Sequence, residues 1–126
     1  MAVMQSRDTR TFIAGEDLSS AQFKFVTLES DGQVDLADAA GENAIGVCLV
    51  GGTAGQAVTV AVSGKVMVTS GGTIAAGAQI QTDASGDALT AATGDVVLGY
   101  ALESAVDGQI FAIELIQGGN VAAESA

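Results

Sequence analysis

The chain has 126 residues and a formal charge of −11, from 15 acidic against 4 basic side chains, with one cysteine, no histidine and no tryptophan. This length bounds it to one domain, and the charge denies it the basic stripe that binds phosphate backbones, so nucleic acid and anionic membrane surfaces are excluded as partners. Without histidine there is no Ser-His-Asp or Cys-His nucleophile, and one cysteine makes neither an intrachain disulfide nor a zinc cluster.

Met1 to Arg10 has no apolar h-region and no strand alternation, yet it holds Arg7 and Arg10, two of the four basic residues. It reads as an extended arm over residues 1–11, followed by one β domain over 12–118 and a tail over 119–126. With no signal peptide and no apolar run of membrane-spanning length, synthesis in the cytosol is expected.

Phe23, Phe25 and Thr27 alternate with Lys24, Val26 and Leu28, which predicts a strand. The alanine-rich tract from Ala37 to Ala44 has the propensity for one helical turn, as does Ala101 to Ala105. Cys48 lies between Val47 and Leu49, so a buried, inert thiol is expected. Val58 to Val62 alternates cleanly, and after Ser63-Gly64 the pattern resumes at Val66 to Val68, which predicts a hairpin closed at Gly64. Ile110 to Ile116 predicts the last strand, with Phe111, Ile113 and Leu115 inward and Glu114 outward. Turn dipeptides fall at Asp31-Gly32, Gly51-Gly52, Gly71-Gly72, Ser85-Gly86 and Asp107-Gly108. Many short strands at this spacing predict an all-β fold, a small barrel or sandwich with at most short helical turns.

The pattern occurs twice. Gly46 and Gly99, Gly55 and Gly108, and Val62 and Leu115 are each 53 residues apart. Leu18 to Ala21 answers Ile74 to Gly77, and Asp31-Gly32 answers Ser85-Gly86. The repeat units run over about 17–64 and 73–118, so the fold carries an internal duplication. Much of the apolar content is alanine, and the aromatic residues are four Phe and one Tyr. A core of this kind buries little area, so association with further copies is expected.

A search for chemistry returns little. The acids fall mostly in turns, where solvation explains them. Asp83-Ala84-Ser85-Gly86-Asp87 has spacing loosely like a calcium loop but lacks the remaining ligands, and its counterpart Glu29-Ser30-Asp31-Gly32 makes both read as β-turns. Ser63-Gly64-Lys65-Val66 fails the phosphate-loop pattern because no Ser or Thr follows the lysine. No catalytic, cofactor or metal residues are assigned. A non-enzymatic protein is expected.

The order Ala14 to Ser19, the Phe23-to-Leu28 strand, Ile45-Gly46-Val47, Gly55 to Val60, Ala76-Gly77 and Leu98 to Ala105 resembles the decoration, or cement, proteins of tailed-bacteriophage capsids, over roughly residues 12–117. The resemblance implies a small β domain, of the β-clip type seen in some decoration proteins. It also implies assembly, often as a homotrimer, on the outer capsid surface of the virion, with the major capsid protein as partner and stabilisation against internal pressure as the role. It brings no catalytic residue. Arg7, Arg10, Thr11 and Phe12 are expected to make part of the capsid contact, because Arg7 and Arg10 are the basic cluster of an acidic chain and lie in a segment with no core to join. The alternative from another class is an adhesive or carbohydrate-binding β module, which the scarcity of Trp and Tyr disfavours.

Overall fold

The computed structural model describes the backbone of residues 5–116 and the side chains of residues 8–116. Among these the chain forms β1 (Gln5–Ile13), β2 (Phe25–Leu28), β3 (Val34–Leu36), β4 (Gly46–Val50), β5 (Ala57–Thr69), β6 (Gln79–Thr82), β7 (Ala88–Thr90), β8 (Gly99–Ala101) and β9 (Ile110–Leu115), with no helix. One antiparallel sheet curls into a half-barrel, in the order β3-β2-β4-β5-β9-β8-β6-β7, with β1 added to β5. The fold is all-β, as the strand spacing predicts. β9 has the expected polarity: Phe111, Ile113 and Leu115 are buried and Glu114 is exposed.

Three expectations are corrected. Ser63-Gly64 does not close a hairpin, since β5 runs through it as one 13-residue strand. Each half of β5 has its own partners: Val58 to Ala61 pair with β1 and β4, and Val66 to Thr69 with β9. The register against β1 slips on either side of Asp8, and Gly64 takes φ 95°, so the strand bends there rather than reverses.

The segment read as an arm is a strand from Gln5 onward, paired with β5 along its length down to Ile13↔Ala57. The two alanine tracts form no helix. Ala37 to Ala44 turns about Gly41, and Ala101 ends β8. Residues 1–4 and the tail assigned to 119–126 lie outside the described residues.

The duplication is carried in the pairing itself. Val26↔Leu36 is matched by Ile80↔Thr90, Cys48↔Val60 by Ala101↔Ile113, and Phe12↔Val58 by Val68↔Phe111. The bridge Ala14↔Val34 is matched by Ser70↔Ala88. One repeat is therefore β1, β2, β3, β4 and the first half of β5. The other is the second half of β5 followed by β6, β7, β8 and β9. Strand β1 belongs to the repeat that the sequence begins only near residue 17, and β5 closes one unit while opening the next. The positive-φ residues among those described obey the same scheme: Phe23 with Gly77, Gly32 with Gly86, Gly41 with Gly94 and Gly55 with Gly108, leaving Gly64 alone at the joint.

The core divides accordingly. Ala14, Leu18, Ala21, Val26, Val34, Cys48, Val58, Val60 and Val62 make a cluster inside the first repeat. The larger cluster holds the corresponding inner face of the second repeat, including Ile74, Ile80, Phe111, Ile113 and Leu115, together with Phe25, Val47 and Ala61 from the outer face of the first.

Candidate functional site

Strand alternation on β1 separates the residues expected to bind together. Arg10 and Phe12 turn to the inner side, where Phe12 packs half-buried against the first-repeat cluster. Arg10 stays exposed, with Nη1 donating to Asp8 Oδ1 at 3.1 Å. Thr11 points the other way, as do Thr9 and Ile13, and all three are exposed. Arg7 lies in the strand, but its side chain is outside the described residues. Arg10, Thr11 and Phe12 therefore do not form one patch. Thr11 continues an outward row instead, through Thr59 to the exposed Val50.

On the inner side, Asp8, Arg10, Phe12, Ile45, Val62 and Ser63 line a shallow groove of about 320 Å³. On the outer side of the second repeat, Gln79↔Tyr100 and Tyr100↔Glu114 set three exposed side chains in a row across β6, β8 and β9. Tyr100 is 41% and the neighbouring Leu102 47% exposed. The matching row of the first repeat is Phe25, Val47 and Ala61, and it is buried. Sequence reasoning missed both surfaces. The signal was an alignment of Arg10 and Phe12 with Val66 and Val68, hidden because the earlier strand is polar.

The acids serve their own turns. Asp83 Oδ1 accepts from the Ser85 and Asp87 amides at 2.7 and 2.9 Å, while Asp87 takes the Lys24 ammonium at 2.5 Å. A second concavity, of about 460 Å³, is lined by Thr27, Leu28, Glu29, Glu42, Asn43, Ala44 and Ile45. Its carboxylates are engaged: Glu42 accepts from the Asp38 and Ala39 amides, and Glu29 from the Thr27 hydroxyl. No group of three or more metal-ligating side chains occurs among the described residues. Burial pushes the Cys48 thiol above its ordinary pKa, which keeps it protonated and unreactive. Asp35 is also raised, by burial first and then by the field of Glu16, Glu29, Asp31 and Asp38. Its Oδ1 is buried without a hydrogen-bond partner.

A family model described as phage cement protein matches residues 4–115. Among solved structures, the chain is similar to the head fiber gp8.5 N base in bacteriophage phi29, with a TM-score of 0.70 and 20% identity over 86% of this chain and 93% of that one. That likeness is one of fold. No curated protein matches the sequence.

Proposed function

The chain belongs to the phage cement protein family, which gives it a structural role on the virion capsid, and from this we propose that it decorates the outer surface of the mature head and stabilises the shell. The observation that carries the reading is the family match, which spans nearly all the described residues. In this reading the partners are the major capsid protein and further copies of the chain, as a homotrimer. The role is non-catalytic and requires no cofactor.

Stabilisation of this kind is binding linkage. A ligand that binds only the assembled lattice favours it by RT ln(1 + [L]/Kd), about 2.7 kcal/mol at a hundredfold excess over Kd. A trimer gains further because its second and third contacts are intramolecular. The capsid contact is assigned to the outward side of β1, at Thr9, Thr11 and Ile13, extended by Thr59 and Val50. The exposed Thr9, Thr11, Ile13 and Val50, with the half-buried Thr59 between them, support a contact of small polar and aliphatic groups. Arg10 and Phe12, which turn away from that row, are left out of it.

The test is to incubate the purified protein with undecorated mature heads, image them, and heat decorated and bare heads in parallel. Regular surface protrusions and a higher temperature of genome release are expected. Bare heads after incubation would overturn the reading.

A further inference from the structure

We infer that the outer sheet face of the second repeat, the row Gln79–Tyr100–Glu114–Lys65 with the apolar strip beside it, is where copies of the chain meet one another about a symmetry axis. The inference specifies the self-contact of the homotrimer and rests on that part of the proposed function.

Strand pairing sets the four side chains in one line across β6, β8, β9 and β5, through Gln79↔Tyr100, Tyr100↔Glu114 and Lys65↔Glu114. The next line holds Leu102, whose amide donates to the Ala112 carbonyl at 3.0 Å, and Met67, which pairs with Ala112. Ile110 lies on the same side of β9 as Ala112 and Glu114, by strand alternation. Tyr100, Leu102 and Ile110 are each more than 40% exposed. Three large apolar side chains left open to solvent therefore share one sheet face, bordered by an acid and a base. Contact surfaces between proteins have this anatomy, an apolar and aromatic centre with a polar rim.

The equivalent place in the first repeat is already a contact. Phe25, Val47 and Ala61 stand where Gln79, Tyr100 and Glu114 stand, and they are buried in one cluster with the inner face of the second repeat. There the chain covers the row with its own residues. In the second repeat Gln79, Tyr100 and Glu114 are exposed and Lys65 is half-buried.

Charge selects the occupant. Among the described residues Arg10 and Lys24 each hold a carboxylate, whereas Lys65 holds none, although Glu114 is its neighbour across the strands. The row thus offers one ammonium and one carboxylate to a second molecule. Copies of a chain with net charge −11 repel one another in most orientations. A face that carries one charge of each sign is complementary to itself, because rotation brings Lys65 of one copy to Glu114 of the next. An acidic or a basic partner would each meet one like charge here, and a second copy in this register meets none. In a three-fold ring each copy gives its ammonium to one neighbour and its carboxylate to the other, so every pair is closed.

The test uses the full-length protein, with circular dichroism to check that each variant is folded. Leu102→Asp puts a carboxylate into the apolar strip and should weaken self-association about tenfold or more in sedimentation. Lys65→Glu and Glu114→Lys should each weaken it about tenfold, and an equimolar mixture of the two should associate where neither does alone, since an acidic face then meets a basic one. In a second arm, Lys65→Cys and Glu114→Cys proteins are mixed under oxidising conditions, in solution and on mature heads. A disulfide-linked species more abundant in the mixture than with either variant alone is expected. Self-association that survives Leu102→Asp and both charge reversals, or no link either in solution or on heads, would overturn the inference. Bare heads with an intact link in solution would instead count against the capsid reading alone.

Discussion

Phe23 and Gly77 hold the same turn in the two repeats. Their φ angles are 65° and 85°, and their amides donate at 2.7 Å to the carbonyls of Cys48 and Ala101, which are themselves equivalent. The geometry of this corner is thus kept even where a side chain makes it unfavourable, as the left-handed region is for phenylalanine.

Gly77→Ala should lower stability by about 1 kcal/mol, the cost of placing a Cβ in that region. A Cβ there meets nothing within 4 Å, so the loss is backbone strain alone. Urea unfolding measures it, and the denaturant slope should not change.

Lys24 and Asp87 tie the strand entry of the first repeat to a turn of the second, with side chains 26% and 20% exposed. Lys24→Met should cost about 1–2 kcal/mol, between the values for exposed pairs and for hydrogen bonds to charged groups. The loss should shrink in high salt, which thermal unfolding at two ionic strengths would show.

Asp35→Asn should raise the unfolding temperature at neutral pH. The carboxyl pKa is higher in the folded chain than in the unfolded one, so the folded state binds the proton more tightly. The native carboxylate therefore disfavours folding above its folded pKa, and this penalty fades as pH falls through the carboxylate range. The gain from the substitution should fade with it. An advantage that persists unchanged at acid pH would contradict the assignment.

Thr11→Asp combined with Val50→Asp should reduce occupancy on mature heads by about tenfold or more, since two carboxylates would have to be desolvated at the contact. Both positions are exposed, so the circular dichroism spectrum and melting midpoint should stay close to those of the parent. Unchanged occupancy would move the capsid contact elsewhere.

Much of the fold was legible because glycine spacing survives where side chains diverge. Gly46 and Gly99 each press against the carbonyl of the strand beside them, at Ala61 and Glu114, and a Cβ fits at neither. That shared constraint keeps the two units in step over 53 residues. Strand β1 was not legible, since Asp8, Thr9, Arg10 and Thr11 show no apolar alternation while their counterparts include Val66 and Met67. Its partner on β5 supplies the hydrogen bonds that its own pattern does not announce. The Ser63-Gly64 dipeptide carries turn chemistry, but a turn needs its flanks to pair with each other, and here each flank is taken by another strand. Nor can a linear pattern tell which sheet face is covered. Phe25 and Gln79 occupy one structural place with opposite exposure, and only the curl of the sheet decides between them.

Because a single 13-residue strand is the end of one unit and the start of the other, no linker or hinge separates the two lobes. Tension applied at either lobe travels along covalent backbone through Gly64 into the other, with hydrogen-bonded neighbours on both sides resisting shear. The molecule is then a strut, and it should melt in a single transition with no half-folded species.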